Sequence, residues 1–146
     1  MRIFFPLAVV GVALSLAATA SASVSASIQP TVTIRSSDYG QILFDGRGFA
    51  LYAFTKDARG RSACSGACAA AWPPYLVKSP LRAGAGTRSS LLGTTRRPDG
   101  KLQATYAGRA LYFYVGDRSP GQILCQNVSE FGGLWLVVRA NGSLVR

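Results

Sequence analysis

A segment of eighteen residues occurs twice in this chain, and this duplication constrains the fold more than any other feature. Shifting the sequence by sixty positions aligns residues 40–57 with residues 100–117 without a gap, and six of the eighteen positions are identical. Within these segments, "LYAFTKD" at 51–57 corresponds to "LYFYVGD" at 111–117. Two copies are too few for a solenoid, which usually needs three or more. The sequence therefore predicts one domain built from two duplicated units.

Each copy has the pattern of a β-strand, a tight turn and a second β-strand. "QILF" is followed by "DGRG" and "FALYAF", and "KLQATY" by "AGR" and "ALYFY"; glycine tolerates the positive φ that hairpin turns demand. We expect a further strand at residues 31–35, at a sheet edge, and a final hairpin over 134–145. The helix candidate is the alanine-rich segment 62–72, which Pro73 and Pro74 end.

These patterns predict a mainly β fold. We expect a small single-domain sandwich or barrel built from the two strand-turn-strand units, with one short helix near residues 62–72. The β-rich domain is predicted to span residues 31–146. Repeat one covers about 38–78, a connector rich in glycine, serine and proline covers 79–93, and repeat two covers about 94–138.

The N-terminus has the pattern of a cleaved secretory signal peptide. One arginine precedes an apolar run that ends in small residues, which predicts a signal peptide over 1–22 and a flexible lead-in over 23–30. The apolar run is too short for a spanning helix, so no transmembrane segment is expected in the mature chain. No cysteine lies near the cleavage site to accept a lipid anchor. We therefore expect a secreted or periplasmic protein.

The mature chain is strongly basic. Without Arg2 it has 15 basic and 6 acidic residues, a formal net charge of +9, and the basic residues are spread along the sequence. Such a charge favours weak association with polyanions or anionic lipids. The alternative is a solvated surface that keeps the protein soluble. No pattern for specific nucleic-acid binding is present.

Missing residue types exclude several kinds of chemistry. The chain has no histidine, and its one methionine is the initiator. A histidine-bearing catalytic triad, an imidazole metal site and a histidine- or methionine-ligated haem are therefore excluded. The sequence has no glycine-rich phosphate loop and no dinucleotide fingerprint. We expect no cofactor, no metal and no catalytic residue, and an enzyme is the less favoured class.

The duplicated motif is a candidate either for scaffolding or for a site. Its residues are Tyr52, Phe54, Asp57, Tyr112, Tyr114 and Asp117. As scaffolding, each aspartate begins a turn ("DARG" or "DRSPG") and accepts nearby backbone N–H groups, while the rings form a stripe on one strand face with their hydroxyls at a wet rim. As a site, the two tyrosines and two aspartates line a pseudo-symmetric cleft for proton transfer or ring stacking. Turn chemistry explains the aspartates without a ligand, so we favour scaffolding.

Three cysteines leave the disulfide pairing open. Cys64 and Cys68 lie four apart, on one face of a helical turn, and an exported pair is expected to be oxidised. Closing this short loop stabilises by roughly 2 kcal/mol, whereas joining Cys64 to Cys125 would contribute roughly 4 kcal/mol. Locality favours Cys64–Cys68, which leaves Cys125 unpaired or as the alternative partner. The C-x-x-x-C spacing differs from the C-x-x-C of thioredoxin-like proteins, so a structural bridge is favoured over a redox site.

These motifs resemble a known family, the bacterial secreted repeat found in lipoproteins with a Y-x-[FWY]-x-x-D motif. "YAFTKD" and "YFYVGD" match that motif, and "CSGACAAAWPP" at 64–74 is similar to the family's C-x-G-x-C-A-x-x-W-P-P segment, including Trp72, Pro73 and Pro74. The resemblance implies export and a repeat fold, and the family's biochemical role is not established. The chain departs from the family in lacking the anchor cysteine and in carrying Cys125.

Three functional hypotheses follow. The favoured one is an exported non-catalytic β-rich module that binds an unknown ligand or protein, or acts structurally, at the cell envelope. The second is a thiol–disulfide or electron-transfer accessory that acts through Cys64 and Cys68. The third is a binder of polyanions or anionic surfaces.

Overall fold

The computed structural model describes residues 31–78 and 80–146. The predicted signal peptide and lead-in lie outside the described residues. The strands are β1 (Thr31–Ser37), β2 (Gly40–Asp45), β3 (Tyr52–Phe54), β4 (Arg82–Ala83), β5 (Leu92–Arg96), β6 (Leu102–Tyr106), β7 (Arg109–Ala110), β8 (Val128–Glu130) and β9 (Gly133–Val137). One α-helix, α1 (Ala67–Ala71), and one 3-10 helix (Ser89–Leu91) accompany them.

The nine strands form three sheets of three strands. Their orders are β2-β1-β4, β3-β9-β8 and β5-β6-β7, and only β1 and β4 pair in parallel. Within residues 31–78 and 80–146, none of these sheets closes into a barrel. The prediction of a mainly β fold with one short helix is confirmed.

Two local predictions need correction. Strand β1 is not an edge strand, because it lies between β2 and the short β4. The helix is shorter than residues 62–72: it begins only after Gly66, whose φ of +56° is not helical. The final hairpin is confirmed, since Arg139 N–H donates to the Ser143 carbonyl at 2.8 Å.

Both duplicated segments form hairpins, but with different loop lengths. Leu51 N–H donates to the Leu43 carbonyl, eight residues back, whereas Leu111 N–H donates to the Ala104 carbonyl, seven residues back. Leu43 is therefore the structural counterpart of Ala104, one position away from the gapless alignment. The turn that precedes each hairpin differs in the opposite sense. In repeat one, two residues join β1 to β2, whereas in repeat two, three residues lie between the paired residues 97 and 101. The extra residue in this turn offsets the shorter hairpin loop of repeat two.

Strand pairing joins the two repeats: β3 of repeat one lies beside β9 of repeat two, whereas the β2-β1-β4 and β5-β6-β7 sheets each come from one side of the chain. Four β-bridges between the repeats form two pairs that are related by symmetry. The bridge of Tyr52 to Val137 corresponds to that of Tyr112 to Pro74. The bridge of Ile42 to Arg139 corresponds to that of Gln103 to Leu76. Tyr52 and Tyr112 also bond to each other through both backbone groups, each at 2.9 Å. A pseudo-two-fold axis therefore passes between these two tyrosines, and around this axis each repeat pairs with the other.

The period of the strands divides the core into two clusters. One contains the rings of the duplicated motif with both tryptophans and the cysteines, and the other contains the alternate residues Leu51, Ala53 and Leu111. The four motif rings thus pack in one cluster, Tyr52 and Phe54 from β3 and Tyr112 and Tyr114 from the segment after β7. The predicted strand "ALYFY" at 110–114 is wrong beyond Ala110, because β7 covers only Arg109–Ala110 and Tyr112 forms isolated bridges. Among the described residues, none of the helices has the length and apolar character needed to span a membrane.

Candidate functional site

The tyrosine of each repeat binds the aspartate of the other repeat. The Tyr52 hydroxyl donates to Asp117 Oδ2 at 2.7 Å, and the Tyr112 hydroxyl donates to Asp57 Oδ2 at 2.7 Å. Within one repeat the two motif residues are five positions apart and do not bond to each other. The structure therefore brings the four residues together as two reciprocal pairs across the pseudo-two-fold axis.

Each aspartate also ties down the loop that follows it. Asp57 Oδ1 accepts the Ala63 N–H at 2.7 Å, and Asp117 Oδ1 accepts the Leu124 N–H at 2.9 Å. The predicted type I turn starting at Asp57 is wrong, because the closing bond runs from Arg61 N–H to the Ala58 carbonyl. The carboxylate therefore holds an amide six residues away, as it holds one seven residues away in repeat two.

The motif hydroxyls are buried, so their predicted position at a wet rim is wrong. Tyr52 and Tyr112 are both 0% exposed, and Asp117 is buried while Asp57 is half-buried. Burial is the main cause that raises the pKa of both phenols above the usual value, and the adjacent carboxylates raise it further. Burial also raises the pKa of both aspartates above 3.8, partly offset by the bonds they accept.

A buried arginine supports the Asp57 pair. The Tyr112 and Ser62 hydroxyl oxygens lie 2.6 Å apart. Arg97, which is 7% exposed, donates to Ser62 Oγ at 2.9 Å, to Gln103 Oε1 at 2.7 Å and to the Cys64 carbonyl at 2.7 Å. These groups form a continuous polar chain behind the Tyr112–Asp57 bond.

The Asp117 pair has no such support and adjoins a free thiol. Cys125 follows Leu124 as Cys64 follows Ala63, so the two cysteines occupy equivalent places after the aspartate-bound amide. Cys125 is free and buried, and burial is the main cause that raises the pKa of its thiol. In the described part of the chain, Asp117 has no basic partner within ion-pair distance.

The two tryptophans stack across the pseudo-two-fold axis. The Trp72 and Trp135 rings are 4.1 Å apart and 3° from parallel. Tyr52 meets Trp72 edge-on at 5.2 Å, and Tyr112 meets Trp135 edge-on at 5.1 Å. Trp72 also donates its indole N–H to Glu130 Oε2 at 2.8 Å. The motif tyrosines are thus packed on the paired tryptophans from both sides.

The remaining motif residues take backbone or ring positions beside this stack. The Pro73 carbonyl accepts the Phe113 N–H at 2.8 Å, and Pro74 forms the bridge to Tyr112. Phe54 stacks on Trp135 at 4.2 Å, and Tyr114 packs against Trp72 at 4.8 Å.

The short disulfide is confirmed. Cys64 and Cys68 are bonded, with their Cα atoms 5.3 Å apart, at the start of α1. Both are buried in the aromatic cluster. The bond therefore holds α1 and Trp72, which follows it, against the stacked rings.

One cavity opens beside the Asp57 loop. It has a volume of about 170 Å³ and lies between residues 57–59 and the β6–β7 turn. Three charged side chains line it, those of Asp57, Arg59 and Arg109. Within the described residues, no three His, Cys, Asp or Glu side chains are grouped so that they could hold a metal ion.

Sequence reasoning missed the polar residues that surround Asp57. Arg97, Ser62 and Gln103 lie outside the duplicated identities, and Arg59 and Arg109 are two among many arginines. One weak signal was available for Gln103: the alternation of side chains along a strand over β6 places this polar residue on a buried face. Nothing in the sequence pairs it with Arg97.

Comparison with known proteins agrees with the duplicated architecture. The model of a family described as "Secreted repeat of unknown function" matches residues 33–75 and again residues 93–139. No curated protein and no solved structure shows significant similarity to the chain. The two matched regions contain the hairpin, the motif tyrosine and the tryptophan of each repeat. The chain belongs to this family of secreted repeats.

Proposed function

We propose that the protein is an exported, non-catalytic module that binds an anionic surface of the cell envelope. In this proposal the duplicated motif is scaffolding and the exposed basic residues carry the function. The single observation that supports it most is the unequal burial of acidic and basic side chains.

The surface is more basic than the net charge indicates. All the basic residues from 31 to 146 are exposed except Arg97, which gives fourteen exposed positive charges. Of the six acidic residues, only Asp38, Asp99 and Glu130 are exposed. The exposed residues therefore carry eleven more positive than negative charges, because Asp45 and Asp117 are buried and Asp57 is half-buried.

Few of these basic groups are neutralised within the protein. In the described residues, ion pairs involve only Arg47 with Asp45 at 2.7 Å and Lys101 with Asp99 at 3.9 Å. Twelve exposed basic side chains consequently have no carboxylate within 4.0 Å. An unpaired cationic surface attracts anionic polymers and lipids, each basic group near an anionic membrane contributing about 1 kcal/mol.

The scaffolding role is supported by the polar groups of the interior. Among the described residues, no buried side-chain nitrogen or oxygen lacks a hydrogen-bond partner. The motif tyrosines and aspartates bond to each other and to backbone amides. Satisfied groups of this kind, three of them buried, stabilise one fold.

Binding to a defined anionic surface tests the proposal. Purified protein is sedimented with vesicles of phosphatidylglycerol and phosphatidylcholine, and with pure phosphatidylcholine vesicles, over a series of salt concentrations. A soluble anionic wall polymer is the competitor, and it distinguishes a polymer target from a lipid target. We expect binding to the anionic vesicles alone, falling steeply with salt. Binding that ignores salt and lipid charge would contradict the proposal.

The buried disulfide supports a structural over a redox role for Cys64 and Cys68. Cys64 is 1% exposed and Cys68 is 7% exposed, which restricts attack by an external thiolate. A reduction potential below about −300 mV is expected for a resistant structural bridge. A markedly higher potential would favour the thiol–disulfide accessory instead.

A further inference from the structure

The cavity beside Asp57 contains charges of both signs that do not pair with each other. Its lining includes Asp57, Arg59 and Arg109. In the described chain, Asp57 has no basic nitrogen within 4.0 Å, and neither arginine has a carboxylate within that distance. Three charged residues therefore line one small space, and none of them has an ion-pair partner within 4.0 Å among the described residues.

The local backbone explains why the arginines stay apart from Asp57. A Cβ atom on Gly108 would lie 3.0 Å from both Cζ and Nε of Arg59, so this side chain lies flat on the bare glycine. Arg109 donates its Nε–H to the Gly142 carbonyl at 3.0 Å. Both arginines are thus held on the turn side of the cavity, with Asp57 on the other side.

Asp57 retains capacity for a further donor. Its Oδ1 accepts the Ala63 N–H and its Oδ2 accepts the Tyr112 hydroxyl, one bond each. A carboxylate oxygen can accept two hydrogen bonds. Burial raises the pKa of Asp57, the two accepted hydrogen bonds and the Arg97 charge offset this only in part, and a bound ammonium group would offset it further.

The other half of the molecule lacks the two arginines, although it has Asp117 in the place of Asp57. Gly60 N–H donates to the Gly108 carbonyl, and Gly121 N–H donates to the Gly48 carbonyl, both at 2.8 Å, so the two contacts are equivalent. Arg59 precedes the donor Gly60, whereas a proline precedes the donor Gly121. Arg109 follows the acceptor Gly108, whereas a phenylalanine follows the acceptor Gly48. The charged cavity is therefore a feature of one half and not of the repeat.

We propose that the cavity lined by Asp57, Arg59 and Arg109 binds a small zwitterion, with its ammonium group on Asp57 and its carboxylate on the two arginines. Cavities for drug-sized ligands have volumes of about 300–1,000 Å³. A volume of about 170 Å³ fits a smaller molecule of the size of an amino acid, or one such unit of a larger molecule. This site uses two of the exposed arginines together with Asp57, and its preference for a small zwitterion goes beyond the proposed function.

Three matched probes test the charge requirement. Racemic alanine carries both charges, propionate lacks the ammonium group, and ethylamine lacks the carboxylate. Each is titrated into the ¹⁵N-labelled full domain while the amide resonances of Ala58 and Gly108, which line the cavity, are followed. We expect alanine to bind at least about tenfold more tightly than either probe, because each lacks one charge-assisted contact. Equal binding of propionate and alanine would overturn the proposal, as would the absence of saturable shifts at these residues.

Substitutions locate the site. Arg59→Gln and Arg109→Gln are each expected to weaken alanine binding at least about fivefold, whereas Arg118→Gln, an exposed arginine in the other half, is expected to leave it unchanged. Asp57→Asn is expected to remove the preference for alanine over propionate, and amide dispersion shows whether this variant folds. If this variant does not fold, the comparison of alanine with propionate on the unsubstituted protein still tests the role of the ammonium group. Equal effects of the three arginine substitutions would reduce the site to non-specific charge and overturn the proposal.

Discussion

The Tyr52 hydroxyl donates a 2.7 Å hydrogen bond to Asp117, a residue of the other repeat, and the Tyr112–Asp57 bond repeats this relationship in the opposite direction. The motif that looks local in sequence is therefore a pair of long-range contacts. These contacts stabilise the association of the repeats, because each bond joins the motif tyrosine of one repeat to the aspartate that begins the loop of the other repeat.

Removing one phenol tests the energy of this association. Tyr52→Phe leaves the buried Asp117 carboxylate with only the Leu124 amide, so we expect a loss of about 1–3 kcal/mol in the free energy of unfolding. Urea denaturation measures the loss. Tyr39→Phe, at an exposed tyrosine, is the matched control and should have little effect. An equal effect of both substitutions would show that the reciprocal bond contributes nothing.

The raised pKa values of the two motif aspartates predict a pH dependence of stability. Their folded pKa values lie above 3.8, so the folded state binds more protons than the unfolded state between 3.8 and the raised values. The contribution of each aspartate is complete below pH 3.8 and is lost as pH rises through its folded pKa. Asp117→Asn should flatten this part of the curve of unfolding free energy against pH. Asp99→Asn, at an exposed residue, should not.

Among the basic residues, Arg97 is expected to be the one whose substitution lowers the free energy of unfolding most. Arg97→Met leaves Ser62, Gln103 and the Cys64 carbonyl without their buried donor, which should cost about 3 kcal/mol or more. Thermal unfolding measures the change. Arg96→Met alters the exposed neighbour and should shift the free energy of unfolding by less than about 0.5 kcal/mol. Similar results for the two variants would contradict the polar chain behind Asp57.

The disulfide assignment makes a simple chemical prediction. Denatured, non-reduced protein should take up alkylating reagent at Cys125 alone, and all three cysteines should react after reduction. Mass spectrometry of the peptides measures both. Cys68→Ser should lower the free energy of unfolding by roughly 2 kcal/mol, from the loss of a short closed loop. Alkylation at Cys68 before reduction would refute the pairing.

The contacts across the pseudo-two-fold axis, which include the β3–β9 pairing, predict that neither half folds alone. Fragments 31–90 and 91–146 each lack half of the Trp72–Trp135 stack and the partner of their own motif tyrosine. We expect each fragment to be unfolded by circular dichroism, and an equimolar mixture to recover the β spectrum. A folded single fragment would show that the contacts between repeats are not required.

Much of the fold was predictable because it depends on local chemistry. The turn glycines, the alternation of apolar residues and the proline stop after the helix candidate indicated hairpins, strands and one helix. The Cys64–Cys68 bond was favoured for the same reason, since four residues separate its ends. The position of a strand within its sheet and the length of a loop were harder to predict from the sequence, as the central position of β1 and the two unequal hairpin loops show.

The sequence alone determined the class of fold, the duplication and the spacing of tyrosine and aspartate, because each follows from the residue types and their order. Tertiary structure decided which tyrosine binds which aspartate. The motif residues of one repeat are separated by a strand end and a turn, whereas the pseudo-two-fold axis places each phenol 2.7 Å from the carboxylate of the other repeat. The same axis decided that Arg97 supports one pair and that the charged cavity lies beside it, because these residues meet only when the two repeats are packed together.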